Sequence, residues 1–150
     1  MEDQDLELAQ SRLINEDLSL VILKDGKVIF ETKKHGITGF LQAIEKLDKN
    51  LAKSSVADKI VGVAAAMLCV YSGISFVFAM TISVAGIKVL EDNNITYRFG
   101  KKVSNILNHS KTDVCPFEKQ AIGSVDSEEA YLKLKSLAKL MKKKYETHDC

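Results

Sequence analysis

The chain has 150 residues, of which 46% are apolar and 27% charged, which suits one domain with its own core. A formal net charge of +1 gives no electrostatic case for nucleic acid or an anionic membrane surface as partner. Three scattered cysteines, Cys69, Cys115 and Cys150, with no CxxC pair, suggest neither a disulfide framework nor a cysteine-rich zinc site. They fit a reducing cytoplasm, and the acidic start MEDQDLELAQ lacks the apolar stretch of a signal peptide.

Residues 1–15 read as a short helix with an imperfect stripe of Leu6, Leu8, Ala9, Leu13 and Ile14. Residues 18–23 and 27–32 read as strands joined at Asp25-Gly26, a two-residue hairpin turn that needs positive φ at both positions. The first of these strands is nearly all apolar, so both its faces should be covered. Thr38 can cap a helix over residues 38–51, with Phe40, Leu41, Ile44, Leu47 and Leu51 on one face. Ser54-Ser55 is then expected to open a central helix whose Ile60, Val63, Ala64, Met67 and Tyr71 form one stripe. Its small opposite face of Gly62, Ala65, Ala66 and Cys69 implies burial on more than one side. Ser72-Gly73 stops it.

Residues 74–81 form a β-branched and aromatic strand, followed by a helix over 83–91 capped by Ser83 and ended by Asp92-Asn93-Asn94. A strand over 95–99 and a short helix over 102–108 lead into the loop SKTDVCPFE, which holds the one proline, Pro116. Asp126 and Glu129 make a capping box for a last helix over 127–145, with Tyr131, Leu134, Leu137, Ala138 and Met141 inside and a lysine-rich outer face.

Residues 60–87 carry no charge and are longer than the roughly 20 residues that span a bilayer. Tyr71-Ser72-Gly73 interrupts them, the first half is helix-prone and the second strand-prone, and Thr81 and Ser83 follow. A buried helix followed by a buried strand accounts for this better than a membrane span. A hairpin followed by alternating helices and strands predicts a three-layer α/β/α sandwich with a mixed sheet. The expected single domain has its core over 18–122, with the helices at 1–15 and 127–145 as additions.

Four segments together carry a resemblance: Leu20-Val21-Ile22-Leu23-Lys24-Asp25-Gly26-Lys27; His35-Gly36-Ile37; Ala57-Asp58-Lys59-Ile60-Val61-Gly62 with Ala64-Ala65-Ala66; and Cys115-Pro116-Phe117-Glu118. Over about residues 18–122 the chain resembles an uncharacterised prokaryotic family of small proteins grouped with the cytidine-deaminase-like folds. The resemblance implies that fold and no particular activity. Zinc deaminases carry His or Cys with Glu at one helix start and Pro-Cys-x-x-Cys at the next. The corresponding starts expected here, Val56-Ala57-Asp58-Lys59 and Thr81 to Gly86, contain neither His nor Cys, so no metal site and no cofactor is expected.

In place of zinc, two helix N-termini meeting at one sheet edge could hold a small anionic or nucleotide-like ligand. Asp58, Lys59, Ser83 and Asn108 are the candidate ligand-binding residues, and Cys115 and Glu118 the candidate catalytic ones, with His109 near them. Each has a structural alternative. Asp58 can form a capping pair with Ser55, Ser83 can be an N-cap, and Cys115 a small buried hydrophobe. Lys59 and Glu118 can be ordinary solvated or first-turn charges, and His35, His109 and His148 surface residues. The lysines of the last helix read as a solvated face. The function expected is a metal-independent site that binds or transforms a small anionic or nucleotide-like ligand; the alternative is a non-catalytic module that keeps the fold for oligomerisation or partner binding. Convergence of the polar residues on one concave pocket would favour the first, and their use in caps and ion pairs the second. Symmetric assembly suits so apolar a chain.

Overall fold

The structure, a computed structural model, describes residues 2–34, 36–108 and 110–144. Strands β1 (Leu20–Lys24) and β2 (Lys27–Thr32) form the expected hairpin, with Asp25 at φ 51° and Gly26 at φ 78°. The Gly26 N–H donates to the carboxylate of Asp5 at 3.1 Å, which ties the turn to the first helix. With β3 (Ser55–Val61), β4 (Phe76–Ser83) and β5 (Thr96–Val103) they make one five-stranded sheet in the order β2-β1-β3-β4-β5. β1 runs antiparallel to β2 and β3, while β3, β4 and β5 are mutually parallel. The sheet is mixed, as predicted.

Helix α1 (Glu2–Asn15) covers one face, packing Leu6, Ala9 and Leu13 onto Val21, Leu23, Ala57 and Phe78. Leu8 and Ile14, expected in the same stripe, are about half exposed. Helices α2 (Gly36–Leu47), α3 (Val63–Ser72) and α4 (Val84–Asp92) cover the other face, around a core that includes Ile22, Phe40, Val56, Leu68, Val77 and Leu90. α5 (Pro116–Ile122) and α6 (Ser127–Lys144) pack on α3, where Tyr71 and Tyr131 stack with ring centroids 4.3 Å apart. The result is the three-layer α/β/α arrangement.

The central helix expected from Ser54 onward is corrected. Residues 55–61 are the middle strand of the sheet, bonded to β1 on one side and β4 on the other. Val56 and Ala57 are buried on opposite faces of that strand, which a one-sided helix could not achieve. The helix begins only after Gly62 and ends at Gly73, whose φ of 73° and N–H bonds to the Cys69 and Val70 carbonyls form the stop. The charge-free run is therefore strand end, helix, strand and helix start. No described helix is long and apolar enough to cross a membrane.

β4 is an interior strand, between β3 and β5, close to its expected span. β5 runs on to Val103, so the short helix expected over 102–108 is replaced by strand and an extended crossing segment. Thr38 lies inside α2 rather than capping it, and α2 closes in a 3-10 turn, Asp48–Leu51. The capping box of α6 forms: the Glu129 N–H donates to Asp126 Oδ1 at 2.9 Å, and Glu129 Oε2 accepts from the Val125 N–H at 2.8 Å.

Candidate functional site

The C-terminal ends of β3 and β4 deliver the chain into the N-termini of α3 and α4. These two ends meet, with the backbone of Gly86 close against Val61 and Gly62. The free N–H groups at such ends attract anions. At α4 the acceptor is local: Ser83 Oγ, 1% exposed, accepts from the Gly86 N–H at 2.9 Å. At α3 the N-cap is Gly62, which has no side chain to offer.

The α3 end is closed from elsewhere. Glu118 on the first turn of α5 brings its carboxylate against it, Oε1 accepting from the Val63 N–H at 2.8 Å and Oε2 from the Ala64 N–H at 2.6 Å. Glu118 is 4% exposed. Burial pushes its pKa up, and the two backbone N–H bonds oppose that shift. The fit depends on Gly62: a Cβ there would overlap Glu118 Oε1, 2.5 Å from its Cδ and 2.7 Å from Ile106 Cγ1. The signal for α5 was present in Pro116, which occupies the first turn of the helix with an acidic residue close behind it.

Residues 104–108 and 110–115 lie along this edge and complete the cover. Ile106 is buried, its carbonyl accepts from the Cys115 N–H at 2.9 Å, and Leu107 bridges to Val114. What remains is a cavity of about 20 Å³, lined by Ile37, Gly62, Ala64, Ile106, Phe117 and Glu118 among others. That is room for about one water molecule.

The other expected site residues are used elsewhere. Asp58 and Lys59 stand within β3, not at a helix start, because the sheet claims residues 55–61. Lys59 pairs with Asp17 at 3.1 Å, on the face covered by α1. Asp58 points to the opposite face with Val56; it is 8% exposed, and its Oδ1 accepts from the Ile60 N–H at 3.3 Å. Burial without a cation pushes its pKa up to about 7, against the pull of backbone bonds from Ile60 and Lys59. The nearby Cys69 thiol is pushed well up, by burial first and by Asp58 second.

Asn108 organises its own turn: Oδ1 accepts from the Thr112 N–H at 3.0 Å, and the backbone N–H donates to the Asp113 carbonyl at 2.8 Å. Cys115 is the N-cap residue of α5, lines the cavity and is disulfide-bonded. His35, His109, His148 and Cys150 lie outside the described residues. Among the described residues no group of three His, Cys, Asp or Glu side chains is placed to hold a metal ion.

A mixed five-stranded sheet between helical layers, with a carboxylate seated on the helix end beside its central strand, defines a protein of the α/β/α sandwich class. Residues 8–137 match the family described as a domain of unknown function, DUF1893, and the chain belongs to that family. The crystal structure of a DUF1893 family protein from Thermotoga maritima is similar at TM-score 0.82 and 28% identity, covering 91% of this chain and 92% of that one. Lower similarity, at TM-score 0.47, extends to the apo dCMP deaminase of cyanophage S-TIM5 (12% identity, 68% of this chain, 96% of that one). The same score is reached with RibD of Acinetobacter baumannii (17% identity, 66% of this chain, 34% of that one). No curated protein matches the chain.

Proposed function

We propose that this chain is a non-catalytic module that keeps the α/β/α fold and works by binding a partner. The observation that carries this reading is Glu118. Its carboxylate takes the Val63 and Ala64 N–H groups at the start of α3, where an anionic ligand would bind, and leaves a cavity of about 20 Å³ beside them. Ser83 is occupied by the Gly86 N–H, Lys59 by Asp17, and Asn108 by its own turn. In this reading Glu118, Ser83, Lys59 and Asn108 serve the fold rather than a substrate.

The test is native mass spectrometry of protein taken directly from cells, followed by calorimetric titration with inorganic phosphate and with a nucleoside monophosphate. The expected result is a bare chain and no saturable heat. A stoichiometric co-purifying small molecule, or a saturable titration that depends on Glu118, overturns the reading and restores the ligand site.

A further inference from the structure

We infer that the free edge of β5 is a docking site for an extended acidic segment of a partner protein, added to the sheet as a sixth strand. This rests on the reading of the chain as a partner-binding module and names the partner's chemistry. Among the described residues β5 has one neighbour, β4, so half of its backbone N–H and C=O groups point away from the sheet. The Thr96 N–H bonds inward to the Ser75 carbonyl, and the unshifted register with β4 carries the alternation forward, turning the N–H groups of Tyr97, Phe99 and Lys101 outward.

The other edge is not equivalent. β2 meets β1 with a register shift between Ile22 and Leu23, and its Glu31 is held by Arg12 of α1. β5 keeps its register with β4, and six of its eight residues are exposed. Its two faces differ. Tyr97 and Phe99 stack on the α4 side, where the Tyr97 hydroxyl donates to Glu91 at 2.7 Å and Phe99 stays 40% exposed. Arg98 and Lys102 lie on the opposite side, exposed, with no ion pair among the described residues, and Lys101 adds a third charge to a strand that has no acid.

That charge pattern decides between occupants. A second copy paired antiparallel about Gly100 would set Arg98 of each chain against Lys102 of the other, and like charges across strands destabilise pairing. A strand with acidic side chains toward Arg98 and Lys102, and apolar ones beside Tyr97 and Phe99, meets complementary partners on both faces. Backbone bonds supply the affinity in such strand addition, and the alternating side chains the selectivity.

The probe is a capped seven-residue peptide alternating glutamate and valine, followed by fluorescence anisotropy and by amide exchange on the full chain. The expected result is saturable binding, with slowed exchange at Tyr97, Phe99 and Lys101. Arg98→Glu with Lys102→Glu should weaken binding by about tenfold or more. Phe99→Pro removes one outward donor, leaves the bonds to β4, and should abolish binding. Equal binding of a lysine-valine peptide, unchanged affinity in the charge-reversed chain, or no saturable binding overturns the inference. So does concentration-dependent self-association that protects the same amides. None of these outcomes touches the reading of the closed α3 end, which the phosphate and nucleotide titrations test separately.

Discussion

Asp58 and Glu118 are both buried carboxylates, 8% and 4% exposed, with no cation paired to them among the described residues, and burial raises the pKa of each. Their surroundings differ. Glu118 faces the open end of a helix and receives two backbone N–H bonds of 2.8 and 2.6 Å. Asp58 sits in mid-strand, where the ladder has already claimed most backbone donors; its carboxylate accepts from the Ile60 N–H at 3.3 Å and is drawn on by the Lys59 backbone, which does not offset its burial. A helix N-terminus can solvate a buried charge and a strand interior cannot, so Glu118 acts as a structural anchor while Asp58 is a source of instability.

The largest expected effect comes from relieving the second carboxylate. Unfolded, Asp58 ionises near 3.8; folded, near 7. As pH rises through that window the unfolded state loses its proton first, so stability falls, and it levels off above the folded value. At roughly 1.4 kcal/mol per unit, the gap makes the penalty at alkaline pH up to about 4 kcal/mol. Asp58→Asn should therefore stabilise the chain at alkaline pH and flatten the decline, as read by urea midpoints at a series of pH values. A variant no more stable at high pH than the parent would erase the contrast with Glu118.

Glu118→Ala should act in the opposite direction, because it leaves the Val63 and Ala64 N–H groups buried without acceptors. A loss of about 3 kcal/mol is expected, partly restored by added formate, which can enter the vacated place. A loss that formate leaves untouched would assign the effect to packing instead. Gly62→Ala should cost about 2 kcal/mol through overlap with the same carboxylate, and less when Glu118 is already alanine; the double-mutant cycle measures that coupling. Ser83→Ala removes one local cap and should cost about 1 kcal/mol in the same urea assay. Lys59→Ala breaks an ion pair whose Asp17 side is 87% exposed, and should stay below about 1 kcal/mol and shrink further in salt.

The elements legible in advance were those with signals close in sequence. Asp25-Gly26 named its turn, Ser83 its helix start, and Asp126 with Glu129 the start of α6. The strand at β4 was readable from its β-branched and aromatic run. Residues 55–61 were misread because Ser54-Ser55 looks like a cap and the alanines that follow favour a helix. β5 runs four residues past the expected Phe99, because pairing with β4 continues through Val103 where the local pattern turns polar. Of the candidate site, Glu118 and Ser83 stand at two adjoining helix ends, where their side-chain oxygens accept backbone N–H bonds. Asp58 and Lys59 were placed at a helix start that does not exist.

By itself the sequence determined the α/β class, the hairpin, the caps of α4 and α6 and the apolar weight of residues 60–87, since each rests on neighbours a few positions apart. The tertiary structure decided that Ser55–Val61 is the central strand, because an apolar segment goes where two flanking strands can satisfy its backbone on both sides. It also decided what fills the start of α3. Glu118 lies 55 residues from the Val63 N–H it binds, and no local pattern connects the two until the helices pack.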